Sequence, residues 1–279
     1  MRTASRIAAA HAALRRSSHP IVLVPTMGAL HDGHRALIRR ARKVVKRSGT
    51  VVVSIFVNPT QFDRPTDLER YPRSLRADAA VCREEGVNLL FAPSDPNTIY
   101  ADDASVTVEE TELSRHLCGA TRPGHFQGVC TVVAKLFNVI RPDFAVFGEK
   151  DWQQLAIVRR LVRDLNFPID IVAEPTVRDG DRLALSSRNA RLTPAERAEA
   201  PRFHAALQSA TNRKTPAGIQ SSAARAIEAI PGARVDYVTL VDAETLTPAR
   251  NFQRPTRLAA AIFLGSTRLI DNVGIPPRA

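Results

Sequence analysis

The chain has 279 residues, 44% of them apolar, and a formal charge of +11 at pH 7. That length suits one domain of about 170–180 residues with a smaller partner, and no apolar run approaches the roughly 20 residues that span a bilayer. The charge is carried mostly by Arg and attracts anions. The Arg are scattered along the chain and aromatics make up only 5%, leaving few stacking platforms, so neither a nucleic-acid nor a membrane partner is expected. Cys82, Cys118 and Cys130 are odd in number and form no Cys-x-x-Cys pair, which predicts neither a disulfide framework nor a zinc site and fits a cytoplasmic protein.

Residues 1–31 lack acidic side chains and are rich in Arg, Ala and Ser, a composition shared with mitochondrial transit peptides. The spacing of Ile7, Ala10 and Leu14 predicts instead an amphipathic helix over residues 3–16. A strand (Ile21–Pro25) follows at once, with no small-residue cleavage site before it. Next come a helix at Arg35–Lys46, a strand at Val51–Val57, a helix at Leu75–Glu85 and a strand at Asn88–Phe91. A further strand is expected at Ser105–Val108, then a helix at Val129–Ile140, a strand at Phe144–Phe147, a helix at Leu155–Leu165 and a strand at Ile169–Ala173. This alternation predicts an α/β fold with a Rossmann-like, doubly wound parallel sheet over residues 1–176. After a linking loop, helices at Pro194–Thr211 and Pro216–Ala229 and strands at Val235–Val241, Leu258–Leu264 and Thr267–Asp271 predict a smaller α+β lid domain over residues 177–279.

The chemistry-bearing residues fall just past the predicted strands, where ligands bind in parallel sheets. The first strand runs into Pro25-Thr26-Met27-Gly28-Ala29-Leu30-His31-Asp32-Gly33-His34. Its glycines allow close backbone approach, and the opening helix offers unpaired N–H groups to an anion. His31 and His34, three apart, share one face of that first turn. The second strand ends near Asn58 and Gln61, which bring side-chain amides to the same sheet edge. Phe144–Phe147 runs into Gly148-Glu149-Lys150-Asp151, with Gln154 opening the next helix. Leu185-Ser186-Ser187-Arg188 combines hydroxyls with a guanidinium suited to clamping phosphates.

In order and spacing, PTMGALHDGH, SIFVNPTQF, RPGHFQGV, FGEKDWQQL and LALSSRN resemble the pantothenate synthetase family, and Arg257–Asn272 is similar to it as well. His31-x-Gly33-His34 also resembles the signature of the wider nucleotidyltransferase superfamily. The resemblance implies a ligase that condenses pantoate with β-alanine through a pantoyl adenylate, using ATP with Mg²⁺, in a homodimer; no residue is assigned as a metal ligand. It implies catalytic roles for His34, His31 and Lys150. It implies ATP contacts from Met27, Gly28, Ala29, Leu30, His31, Asp32, Gly33, His34, Gly148, Glu149, Lys150, Asp151, Val177, Leu185, Ser186, Ser187 and Arg188. Pro25, Gln61 and Gln154 would hold pantoate and β-alanine. Arg182 stands where the family usually has Gly, and Trp152 where it usually has Tyr. The rival readings are a nucleotidylyltransferase of the same superfamily acting on a phosphate ester, an RNA binder, and a metal hydrolase using His31 and His34.

Overall fold

The computed structural model describes residues 1–46, 48–63 and 65–278. The continuous apolar runs become strands buried on both faces, as parallel strands between helical layers must be. In chain order the elements are β1 (Arg2–Ala4), α1 (Ile7–Leu14), β2 (Ile21–Thr26), α2 (Asp32–Val45), β3 (Thr50–Ile55), α3 (Pro65–Glu69), α4 (Leu75–Glu84) and β4 (Leu89–Phe91). There follow α5 (Leu117–Thr121), α6 (His125–Ile140), β5 (Phe144–Gly148), α7 (Trp152–Asp164) and β6 (Asp170–Glu174). The chain closes with α8 (Pro194–Glu199), α9 (Pro201–Ala210), α10 (Pro216–Glu228), β7 (Ala233–Asp242), β8 (Thr256–Leu264) and β9 (Thr267–Ile275). Two compact units emerge: residues 1–111, 122–149 and 154–175 form the first, and 112–121, 150–153 and 176–279 the second.

The first unit is built on a six-stranded sheet of order β1-β4-β3-β2-β5-β6 whose pairings are all parallel. Val22, Val24, Val51 and Val53 alternate with Leu23 and Val52, all fully buried. The first set packs with Ile38, Ala41 and Val45 of α2. Strand order runs one way from β2 to β4 and the other way from β5 to β6. The carboxyl ends of β2 and β5 therefore flank the crevice where doubly wound sheets take ligands.

Three expectations change. The N-terminal helix is shorter than predicted, because residues 2–4 pair with β4 as an edge strand. Ser105–Val108 form no strand: Val108 N–H donates instead to Thr131 Oγ1 of α6 at 2.9 Å, and Val106 is 79% exposed. The predicted helix at 194–211 is two helices, because Pro201 has no N–H to continue the ladder.

The second unit is an antiparallel sheet, β7-β8-β9, with α8, α9 and α10. Phe203, Leu207, Ile219 and Ile227 pack with Leu258, Ala260, Ile262 and Leu264 in its core. At one edge of this core Arg178 makes two bonds to Asp271, at 2.7 and 2.9 Å, and His204 Nδ1 lies 3.2 Å from the same carboxylate. Burial alone would push the Asp271 carboxyl up, but His204, Arg178 and the Asn272 N–H hold it below the ordinary range. A carboxyl depressed by folding stabilises the fold above its unfolded pKa, and this stability is lost as pH falls through the folded value. Asp271→Asn is therefore expected to lower unfolding free energy by about 3 kcal/mol at neutral pH, by stranding Arg178. Urea titrations at neutral pH and below pH ~4 check this: the gap between variant and wild type should narrow on acidification.

Candidate active site

At the end of β2, Thr26 Oγ1 donates to Ser54 O at 2.8 Å and accepts the Gly28 N–H at 3.3 Å. The chain then passes through two left-handed residues, Gly28 (φ 86°) and Ala29 (φ 52°). The next two amides are taken by one carboxylate. Ala29 N–H donates to Asp78 Oδ2 at 3.1 Å, and Leu30 N–H to Oδ1 at 2.8 Å. Asp78 lies in the first turn of α4 and is only 3% exposed.

His31 caps α2. Its Nδ1 accepts the Gly33 N–H at 3.1 Å, and Nδ1 of His34 accepts the His31 N–H at 3.3 Å. The two imidazoles thus play the parts of Ser and Glu in an ordinary capping box. A ring nitrogen that accepts a hydrogen bond carries no proton, so both rings hold theirs on Nε2. The rings are 4.2 Å apart and tilted by 53°. The sequence pattern predicts unpaired amides at this helix start, but those of Ala29, Leu30, His31, Gly33 and His34 all have partners within the protein. With each Nδ1 accepting, the two Nε2–H groups are set at the positive end of the α2 dipole, where an imidazole N–H can meet an anion beside the Asp32 amide. His31 and His34 are brought together on the first turn of α2, as their spacing predicts.

The amides beyond β3 divide into scaffold and site. Asn58 is 1% exposed; its Nδ2 donates to Gln61 Oε1 and to Gly128 O, both at 3.0 Å. Its Oδ1 accepts from Tyr100 and Thr60 hydroxyls, both at 2.9 Å. With Oε1 so engaged, Gln61 turns Nε2 to Met27 Sδ at 3.0 Å. The turn bearing Gln61 is pinned by α6: a Cβ on Gly128 would lie 2.4 Å from Thr60 O, so glycine alone lets the helix come this close. His125 Nδ1 donates to Gln61 O at 2.7 Å, and Arg122 reaches both that carbonyl and Asp63. Burial pushes the Asp63 carboxyl up, but the Arg122 guanidinium holds it below its ordinary value.

Beyond β5, a Cβ on Gly148 would meet only Leu37, at an ordinary 3.8 Å, so packing does not require glycine there. Glu149–Asp151 form a 3-10 turn into α7. Gln153 is buried and spends its amide on the backbone of Cys118, Leu113 and His116. Gln154, one residue on, is half-buried.

In the second unit, Lys150 is no solvated surface lysine: its side chain is 16% exposed and lies 3.7 Å from Asp151. Its carbonyl accepts from Asn272 Nδ2 at 2.9 Å. Lys150, Ser186, Arg188, Asn189, Arg268 and Asp271 line one recess. Ser186 caps the short helix Ser187–Arg191 by accepting the Arg188 N–H at 3.2 Å, and Asn189 Nδ2 donates to Ala184 O at 3.0 Å. Val177 and Leu185 face each other across a hairpin through the Leu185 N–H to Val177 O bond, 3.0 Å. Arg182, at the tip, takes φ 74°, the left-handed backbone that Gly prefers. Arg178 donates to its carbonyl at 3.2 Å, and Arg197 bonds both Asp179 and Asp181. The hairpin thus reaches a glycine-like conformation with arginine in place.

Asp78 was invisible to motif reading. Its signal is an acid four residues before buried Cys82 on the same face of α4, a core position where a carboxylate needs partners. Neither Cys82 nor Cys130 is poised for chemistry: burial pushes them up to about 11 and about 12. Among the described residues, no cluster of three or more His, Cys, Asp or Glu could hold a metal ion, and no helix is long and apolar enough to cross a membrane.

The family model described as pantoate-beta-alanine ligase matches residues 1–274. A pantothenate synthetase of Akkermansia muciniphila is 50% identical over 282 residues, covering 98% of this chain and 99% of that one. The crystal structure of pantothenate synthetase from Thermus thermophilus superposes with a TM-score of 0.93 at 45% identity, over 99% and 100% of the two chains. That of pantoate-beta-alanine ligase from Francisella tularensis, complexed with β,γ-ATP and β-alanine, gives 0.81 at 33% identity over 98% and 97%. The histidine turn, the amide pair and the serine–arginine segment therefore lie in a chain that belongs to the pantoate-beta-alanine ligase family.

Proposed function

We propose that the chain activates pantoate with ATP and joins it to β-alanine, releasing AMP and pyrophosphate and forming pantothenate. The observation that carries this is the pair of imidazoles capping α2 at the sheet's switch point, beside a Gln whose amide is fixed by its own scaffold. A nucleotidylyltransferase would use the histidine turn alone; the Gln61 scaffold and the family match disfavour it.

In this reading His34 and His31 donate to the phosphate oxygens as the pantoate carboxylate attacks the α-phosphorus. They stabilise charge that builds up only in the transition state. The protein supplies no covalent nucleophile, so positioning carries much of the rate. The Gln61 Nε2 and the Gln154 amide hold pantoate, with Pro25 and Met27 bordering it. Gly148 leaves the space beyond β5 clear for ATP, which packing alone does not demand. Lys150, Ser186, Ser187 and Arg188 serve the triphosphate, Asp151 pairs with Lys150, and Val177 and Leu185 border the nucleotide. The second unit acts as the lid that keeps water from the adenylate before the β-alanine amine attacks it. Mg²⁺ would accompany ATP as part of the substrate and would supply charge neutralisation on the triphosphate, beside Lys150 and Arg188. We further propose a cytoplasmic homodimer.

Pantoate should support exchange of labelled pyrophosphate into ATP without β-alanine present. Exchange driven by a phosphate ester but not by pantoate would overturn the function. His34→Ala should lower the exchange rate by about 10²–10³-fold while the circular dichroism spectrum stays unchanged. Gly128→Ala forces Thr60 and Gln61 to shift, so it should raise the apparent KM for pantoate by about 10-fold, a displacement of one good contact. Steady-state titrations should find the KM for ATP much less affected.

A further inference from the structure

Asp78 is not itself among the residues assigned above to substrate, yet it holds the backbone on which the histidine cap depends. Gly28 and Ala29 are consecutive left-handed residues, a conformation natural to the first and disfavoured for the second. The buried carboxylate binds the amides immediately after this reversal, at 3.1 and 2.8 Å. Gly28 is what lets it approach: a Cβ there would stand 2.9 Å from Asp78 Oδ2 and 3.1 Å from Ile55. The other end of α4 is fixed to α2 as well. Arg35 bonds Glu84 at 2.7 Å and Glu85 at 2.9 Å, and Arg39 reaches Glu85 at 2.6 Å. Helix α4 thus grips both the turn that leads into α2 and the first turns of α2 itself.

We infer that Asp78 is a positioning residue for ATP activation: by binding the Ala29 and Leu30 amides, it sets the backbone at which His31 and His34 cap α2 and so fixes which ring nitrogen of each is the donor. The inference rests on the reading that these imidazoles serve ATP, but the geometry of the anchor can be tested without ATP. Asp78→Asn preserves shape while turning an NH₂ group against one of the two amide donors. The turn then loses a bond at the left-handed alanine, and the two Nδ1 atoms lose the register in which they meet the His31 and Gly33 amides. Such an outer-shell loss typically costs about 10–100-fold in activity.

The test combines long-range ¹H–¹⁵N imidazole spectra of the ligand-free protein with pantoate-dependent pyrophosphate exchange. Wild type should show both rings protonated at Nε2. Asp78→Asn should alter that pattern, lower the exchange rate and kcat by about 10–100-fold and, in steady-state assays of the full reaction, leave the KM for β-alanine unchanged. Adding Ala29→Gly, which takes the left-handed conformation without strain, should recover part of the lost kcat and of the ring pattern; a residue that merely stabilised the fold would leave the ring pattern of the folded variant unchanged. Wild-type kcat and ring pattern in Asp78→Asn, or no recovery with Ala29→Gly, would overturn the inference. Should Asp78→Asn fail to fold, Gly28→Ala displaces the turn with the carboxylate intact. It must change the imidazole pattern, and an unchanged one also overturns the inference. Absence of exchange in the wild type would sink the proposed function instead, and the spectra would still decide the role of Asp78.

Discussion

The first helix after β2 begins with a problem common to all helices: its leading amides have no partners within the helix. Here two imidazoles solve it for each other, His31 accepting from Gly33 and His34 accepting from His31. Most helix starts in phosphate-binding proteins leave those amides for the anion. This one spends the His31 and Gly33 amides on ring nitrogens, which turns Nε2 of each ring into the donor. The adenylation proposed above depends on that exchange. An imidazole reaches farther from the helix than an amide, and it can meet a phosphate whose geometry changes as pyrophosphate departs. Its tautomer is set before substrate arrives, so less reorganisation is left for the reaction itself.

A similar economy holds at two other candidate positions, each within its own unit, where buried polar side chains support residues proposed to meet substrate. Gln61 is oriented by Asn58, which is oriented by Thr60, Tyr100 and the Gly128 carbonyl. The segment Ser186–Arg188 follows a hairpin that Arg178 and Asp271 tie down from a buried position. A buried polar group left unpaired costs more than a paired one contributes. Networks of this kind therefore hold one geometry or fail. They suit a site where roughly an ångström of misplacement forfeits much of the rate.

How much of this the sequence disclosed follows from range. The parallel sheet was legible because β2, β3 and β5 are apolar on both faces and alternate with amphipathic helices, a pattern local to each element. The candidate site could be placed from the sequence because His31, Gln61 and Gly148 each sit within a few residues of a strand's end. What escaped was set by distant partners. The three-residue strand at the N-terminus exists only because β4 has a free edge, and the stretch around Val106 loses its strand because a Thr131 hydroxyl takes its amide. Asp78 lies 48 residues from the amide it binds most closely, and no spacing rule links them.

Arg182 shows how such a fold tolerates a change that local rules forbid. A left-handed backbone at a non-glycine residue is disfavoured by about 1–2 kcal/mol, and nothing in the tripeptide around Arg182 removes that cost. The compensation comes from either side of the tip: the Arg178 guanidinium on its carbonyl, the Asp179 N–H to Leu183 O bond across it, and Arg197 joining the two flanking aspartates. Those residues belong to elements with other duties, since Arg178 also holds Asp271 and Arg197 lies within α8. The hairpin thus takes its shape from the core beneath it rather than from the residue at its tip. The serine–arginine segment beyond it can keep its place although the glycine expected here is absent.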